Sequence, residues 1–220
     1  MITLKREDYS ILLAEAEKFD EQRIKCKDFL TAHKLNYDKF TMVSHDAFIG
    51  FITEEIISDY ISTTFQGSVI QKWNEQYDPH RISEILLKKE VSTDDIDYIK
   101  NYFYDKWDLK VTYNNQNYFI DIKTALTQLD AKENWDFMYP VVQAKKPGKD
   151  LMILCYYVTT NKDYKSLKEI VLVGYITELV ISACKEIKAG EKTKFGTTSQ
   201  IDNYVTNLGK HYSPLTNLFK

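Results

Sequence analysis

Through the first hundred residues apolar positions recur at helical spacing, and from residue 107 onward the pattern changes to short β-rich runs. Residues 8–33 read as a charged amphipathic helix with Phe29 and Leu30 near its end. A second helix is predicted from Ser44, its cap, to Ile61, with Gly50 tolerated inside it at about 1 kcal/mol. Its wheel places Ile49, Ile52, Ile56 and Tyr60 on the buried face. Segment 65–90 is broken by Gly67 and Asp78-Pro79 and holds a short helix around 82–87. Ser92-Thr-Asp-Asp95 has the form of a capping box opening a helix that runs to about Lys106.

Beyond that helix, Trp107 to Tyr113 and Tyr118 to Thr124 are two β-rich runs separated by the polar Asn114-Asn-Gln-Asn117, a hairpin signal. With Tyr113 facing Tyr118 across a four-residue turn, Asp108 falls opposite Lys123 and Lys110 opposite Asp121. Side chains alternate along strands, so Asp108, Asp121 and Lys123 then share one face. Runs 151–159 and 170–176 are apolar enough to be buried central strands. Residues 177–184 read as a helix or an extended edge, and the tail from Gly190 reads as a polar loop. The order predicts an α/β (α+β) fold, a mixed central β-sheet flanked by helices. It is expected as one domain over residues 1–220: an N-terminal helical part (1–45), a core (46–180) and a C-terminal helix and polar loop region (181–220).

Composition narrows the classes further. Hydrophobic residues at 44% and charged residues at 28% are ordinary for a soluble globular chain. No apolar run approaches the roughly 20 residues that cross a bilayer, and the N-terminus lacks a signal peptide pattern. Cys26, Cys155 and Cys184 are far apart with no metal spacing, which suits a reducing cytoplasm. A net charge of −3 argues mildly against nucleic-acid binding, but residues 185–220 carry six lysines against three acids. Lys145, Lys146 and Lys149 form a second basic spot around Pro147-Gly148.

Two carboxylates and an ammonium on one sheet face waste charge unless a divalent cation and an attacked phosphate need them there. An Asp, a spacer of about a dozen residues, then Asp-X-Lys among apolar neighbours resembles the PD-(D/E)XK nuclease motif, best known from type II restriction endonucleases. Asp108 matches the first acid, and Asp121 with Lys123 matches the triplet. Trp107 stands where the family prefers Pro. Many members add a Glu on a preceding helix; Glu55 fits that place, with Glu54 as the alternative. The resemblance implies a restriction-endonuclease-like fold and Mg²⁺ held by Asp108, Asp121, the Ile122 carbonyl and Glu55. It also implies a water nucleophile that Lys123 orients or helps deprotonate.

These expectations add up to a type II site-specific deoxyribonuclease cutting double-stranded DNA, a homodimer matching a palindromic site. It would be encoded by a bacterium or phage, with a cognate DNA methyltransferase as its genetic partner and no membrane partner. Candidate DNA contacts are Lys145, Lys146 and Lys149, and the loop residues Lys192, Lys194, Thr197, Thr198, Ser199 and Gln200 with Phe195 able to stack. Two alternatives stay open: a repair, recombination or mobile-element nuclease of the same fold, and a non-catalytic interaction or DNA-binding protein whose charges are surface pairs.

Overall fold

The computed structural model describes residues 1–35, 45–193 and 196–219. In chain order the elements are β1 (Ile2–Leu4), α1 (Ser10–Ala32), α2 (Asp46–Thr64), β2 (Val69–Lys72), α3 (Pro79–Leu87) and α4 (Thr93–Phe103). There follow β3 (Leu109–Tyr113), β4 (Gln116–Thr127), β5 (Asp136–Pro140), α5 (Val141–Ala144), β6 (Leu151–Thr159) and β7 (Leu167–Ile176). The chain ends with α6 (Glu178–Ser182), β8 (Lys185–Ile187), β9 (Asn203–Asn207) and α7 (Leu208–His211). The molecule is therefore mixed α+β. Among the described residues no helix is long and apolar enough to cross a membrane.

Six strands form one sheet in the order β1-β7-β6-β4-β3-β2, in which β4 and β6 run parallel and every other pair is antiparallel. A parallel pair needs a crossover, and here the crossover carries β5 and α5. Every residue of β6 is buried, because both faces of the sheet are covered. On one face α1 and α2 lay Leu12, Ala16, Phe48, Ile52, Ile57 and Ile61 against Leu109, Ile120, Ile153 and Leu172. The Thr53 hydroxyl meets that of Thr124 at 3.1 Å across this interface. On the other face, Met152, Leu154 and Tyr156 of β6 contribute to cores shared with Tyr139, Tyr204 and Leu208. Those residues belong to β5, β9 and α7, and β5-β9-β8 is a separate three-stranded sheet.

The hairpin turns in two residues, not four. Asn114 and Asn115 carry φ of 51° and 62°, as a type I′ turn requires, and Tyr113 pairs with Gln116. The register moves by two, so Lys110 faces Phe119 and Leu109 faces Ile120. An even slip leaves every side chain on the face expected for it, where an odd one would have parted Asp108 from Asp121. The C-terminal region, expected as a helix and polar loop, instead also supplies the strands β8 and β9. Ser44, the expected cap of α2, lies outside the described residues. The Ser92 box is formed as expected: its hydroxyl accepts the Asp95 N–H at 3.1 Å, and the Asp95 carboxylate accepts the Ser92 N–H at 3.2 Å.

Candidate active site

Asp108, Asp121, Ile122 and Lys123 line a cleft of about 910 Å³ bounded by α1 and α2 on one side and by β5 and α5 on the other. Asp108 sits one residue before β3. Its N–H donates to the Ile120 carbonyl at 2.9 Å, its own carbonyl accepts the Trp73 N–H at 3.2 Å, and its carboxylate accepts the N–H of Ile122. The side chain thus continues the β3–β4 ladder by one step. Asp121, on β4, is buried to 1% exposure. The Lys123 ammonium donates to its Oδ1 at 3.0 Å and lies 2.9 Å from its Oδ2. Its Oδ2 also accepts from the Tyr139 hydroxyl at 3.1 Å and lies 3.4 Å from the Lys149 ammonium.

The charges follow from this crowding. Burial, then the Asp121 and Asp105 carboxylates, raises Asp108 to about 7. Burial, then Asp108 and Asp105, holds Glu54 well above the ordinary carboxyl range. Burial would raise Asp121 too, but Lys123 and Lys149 outweigh it and keep its pKa low. Burial disfavours the charge on Lys123, yet Asp121 and Asp108 prevail and lift its pKa, so it is a firm cation. Lys149 goes the other way, its burial outweighing the pull of Asp121.

Of the expected residues, Asp108, Asp121, Ile122 and Lys123 come together. Glu55 does not join them: its carboxylate pairs with the Lys72 ammonium, and it opens toward a different hollow beside Arg6 and Asp59. Glu54 lines the cleft in its place. The reason is the breadth of the buried face of α2. It includes Phe48, Ile57 and Ile61 as well as Ile52 and Ile56, so Glu54 and Glu55 flank opposite edges of it.

The basic spot divides three ways. Lys145 is exposed, Lys146 reaches across the cleft to Asp105 at 3.0 Å, and the Lys149 side chain is only 2% exposed, which removes it as a DNA contact. Lys192, Thr197, Thr198 and Gln200 are exposed, and none of these four lines the cleft. Ser199 is buried and donates to the Ile201 carbonyl, so it is not available to a ligand. Lys194 and Phe195 lie outside the described residues.

The sequence reading missed Asp105, Arg23 and Tyr139. Asp105, three residues before Asp108, was open to notice; it accepts from Lys146 and stands 4.0 Å from Arg23. Arg23 comes from α1, donates to the Tyr102 and Phe103 carbonyls and has no local signal pointing at the cleft.

Among the described residues no group of three or more His, Cys, Asp or Glu side chains could hold a metal ion. Mg²⁺ asks for less, since it usually takes one or two carboxylates and keeps its waters. The Asp108–Asp121 pair fits that donor set, and the raised Asp108 marks negative charge that a cation would relieve. No protein-family model matches the chain, and neither a curated protein nor a solved structure matches it.

Proposed function

We propose that the chain is a Mg²⁺-dependent endonuclease of the PD-(D/E)XK type, with a restriction-endonuclease-like fold, that hydrolyses phosphodiester bonds of double-stranded DNA. A type II restriction enzyme working as a homodimer is the form we favour. The observation that carries the reading is that Asp121 and Lys123, two apart on β4, meet Asp108 in one cleft, with the Lys123 ammonium 2.9 Å from the buried carboxylate.

Asp108 and Asp121 would hold the metal, with the Ile122 carbonyl beside them and Glu54 in place of Glu55 as the helix acid. When bound, Mg²⁺ supplies Lewis-acid polarisation of the phosphate and a lowered pKa for water. Lys123 is a cation held within reach of the floor, so its part is to orient the phosphate and offset charge developing on it. Its pairing with Asp121 keeps that charge in place before substrate arrives. Arg23 and Lys146, both lining the cleft, offer further positive charge along a phosphate path.

Plasmid DNA incubated with the protein tests this. Cleavage with Mg²⁺, its loss in EDTA and its loss in Asp121→Ala support the reading, and discrete fragments support the restriction form. A smear or structure-dependent nicking moves it to repair or recombination. Indifference to metal and to Asp121→Ala, in folded protein, leaves a binding module.

A further inference from the structure

The Asp121 carboxylate has two sides. Lys123, 21% exposed, approaches it from the cleft. Tyr139 and Lys149, exposed to 1% and, for the Lys149 side chain, 2%, approach its Oδ2 at 3.1 and 3.4 Å, and neither lines the cleft. Each comes from a part of the chain that the nuclease chemistry itself does not explain. Tyr139 is on β5, whose pairing with β9 holds it under the large sheet. Lys149 follows the Pro147-Gly148 turn, where Gly148 takes a φ of 90°, and its ammonium is tied down by the Gln143 carbonyl. That ammonium also lies 5.8 Å from the Tyr139 ring centroid, so the two hold each other as well as the acid.

We infer that Tyr139 and Lys149 are positioning residues that clamp Asp121 from behind, leaving Lys123 free to leave the carboxylate for the phosphate. The inference rests on the proposed nuclease reading. A buried carboxylate cannot stand unpaired at low cost, so without a rear partner Asp121 would keep hold of Lys123 or turn away from the cleft. With the clamp in place, the front of the carboxylate is available to metal and Lys123 is released. The small sheet then has a chemical part: it brings Tyr139 to the acid.

Tyr139→Phe removes one hydroxyl and keeps the ring, while Lys149→Met keeps the stem and drops the charge. Both are compared with wild type in melting temperature, in Mn²⁺ binding by calorimetry, and in plasmid cleavage across a Mg²⁺ titration. Partners of metal ligands typically contribute on the order of 10–100-fold to affinity or activity. The expected result is Mn²⁺ binding weakened, and the rate at saturating Mg²⁺ reduced, within that range while each variant is folded. Placing Tyr139→Phe in an Asp121→Asn background should weaken Mn²⁺ binding no further. Lower melting temperatures with unchanged binding and rate would mean packing alone and overturn the inference, as would tighter Mn²⁺ binding in Lys149→Met, the mark of a competing counter-charge. Variants that match a wild type active in Mg²⁺ overturn the clamp alone. A wild type that neither binds Mn²⁺ nor cuts removes the nuclease reading and the clamp with it.

Discussion

Asp108 and Ile122 are joined by a hydrogen bond in which a carboxylate stands where strand backbone would: the Asp108 side chain accepts the Ile122 N–H one step beyond the end of β3. The bond fixes the acid beside the next residues of β4, Asp121 and Lys123, without calling on another helix or loop. It also separates two substitutions. Asp108→Asn keeps an oxygen acceptor for Ile122, whereas Asp108→Ala leaves a part-buried N–H without one, at about 1–3 kcal/mol. Chemical denaturation should show that extra loss in Asp108→Ala, and cleavage should vanish in both.

The raised Asp108 pKa has a definite sign in stability. Its carboxyl ionises near 7 in the folded protein and near the ordinary value of about 4 in the unfolded chain. Across that window the folded state binds more protons, so stability falls as pH rises and the loss is complete above about 7. Glu54, also raised, acts in the same sense. In EDTA the melting temperature should therefore drop between pH 5 and pH 8. Asp108→Asn should flatten part of that drop, with Glu54 carrying the rest, and Mg²⁺ should restore stability at pH 8 in wild type alone. A wild-type profile flat in EDTA would contradict the crowding of these carboxyls.

Glu54 and Glu55 are adjacent in sequence and separate in place: Glu54 lines the cleft and Glu55 pairs with Lys72. Glu54→Gln removes the helix acid from the cleft and is expected to lower the cleavage rate by at least about tenfold. It should also raise metal-free stability at pH 8, since burial and the neighbouring Asp108 and Asp105 carboxylates make ionisation of Glu54 costly in the folded protein. Glu55→Gln breaks only the pair with Lys72, outside the cleft, and should cut at the wild-type rate.

That pair also marks where the sequence was legible and where it was not. Alternation along β3 and β4 put Asp108, Asp121 and Lys123 on one face, and a two-residue error in the turn did no harm because the strand period is two. β6 was readable from its unbroken apolar run, and α4 from its cap. Which of Glu54 and Glu55 lines the cleft was not, since a wheel gives the buried face of α2 but not which edge of it faces the hairpin. β8 and β9 were hidden for a different reason: they are short, and β9 alternates only weakly in burial. Tyr139 and Lys149 reach Asp121 through tertiary contacts 18 and 28 residues away, which no local pattern records.

The turn itself can be tuned. Both Asn114 and Asn115 are left-handed, a conformation in which most L residues cost about 1–2 kcal/mol. Asn115→Gly should stabilise the hairpin by a few tenths to about 1 kcal/mol, and Asn114→Val should cost roughly 1–2 kcal/mol. Thermal denaturation reads both. Cleavage by Asn115→Gly should match wild type, because the pairing that sets the face of Asp121 is kept.

Gly174 shows how the C-terminal segment is bound to the sheet. It lies on β7 where the pairing with β6 shifts, and a Cβ built on it would stand 2.4 Å from the Ser213 carbonyl oxygen. That atom is backbone, held by the Tyr175–Ser213 bridge, so it cannot swing aside as a flexible side chain would. Gly174→Ala must therefore push the segment off β7. Beyond Ser213 the chain carries Leu215, Leu218 and Phe219 into the helix-side core, where Phe219 packs on Tyr113 and Tyr118 of the hairpin. The expected cost is about 1–3 kcal/mol, as for overpacking elsewhere. Amide exchange should rise in the C-terminal segment and at the hairpin together. An Ala variant as stable as wild type would mean the segment is not anchored at this strand.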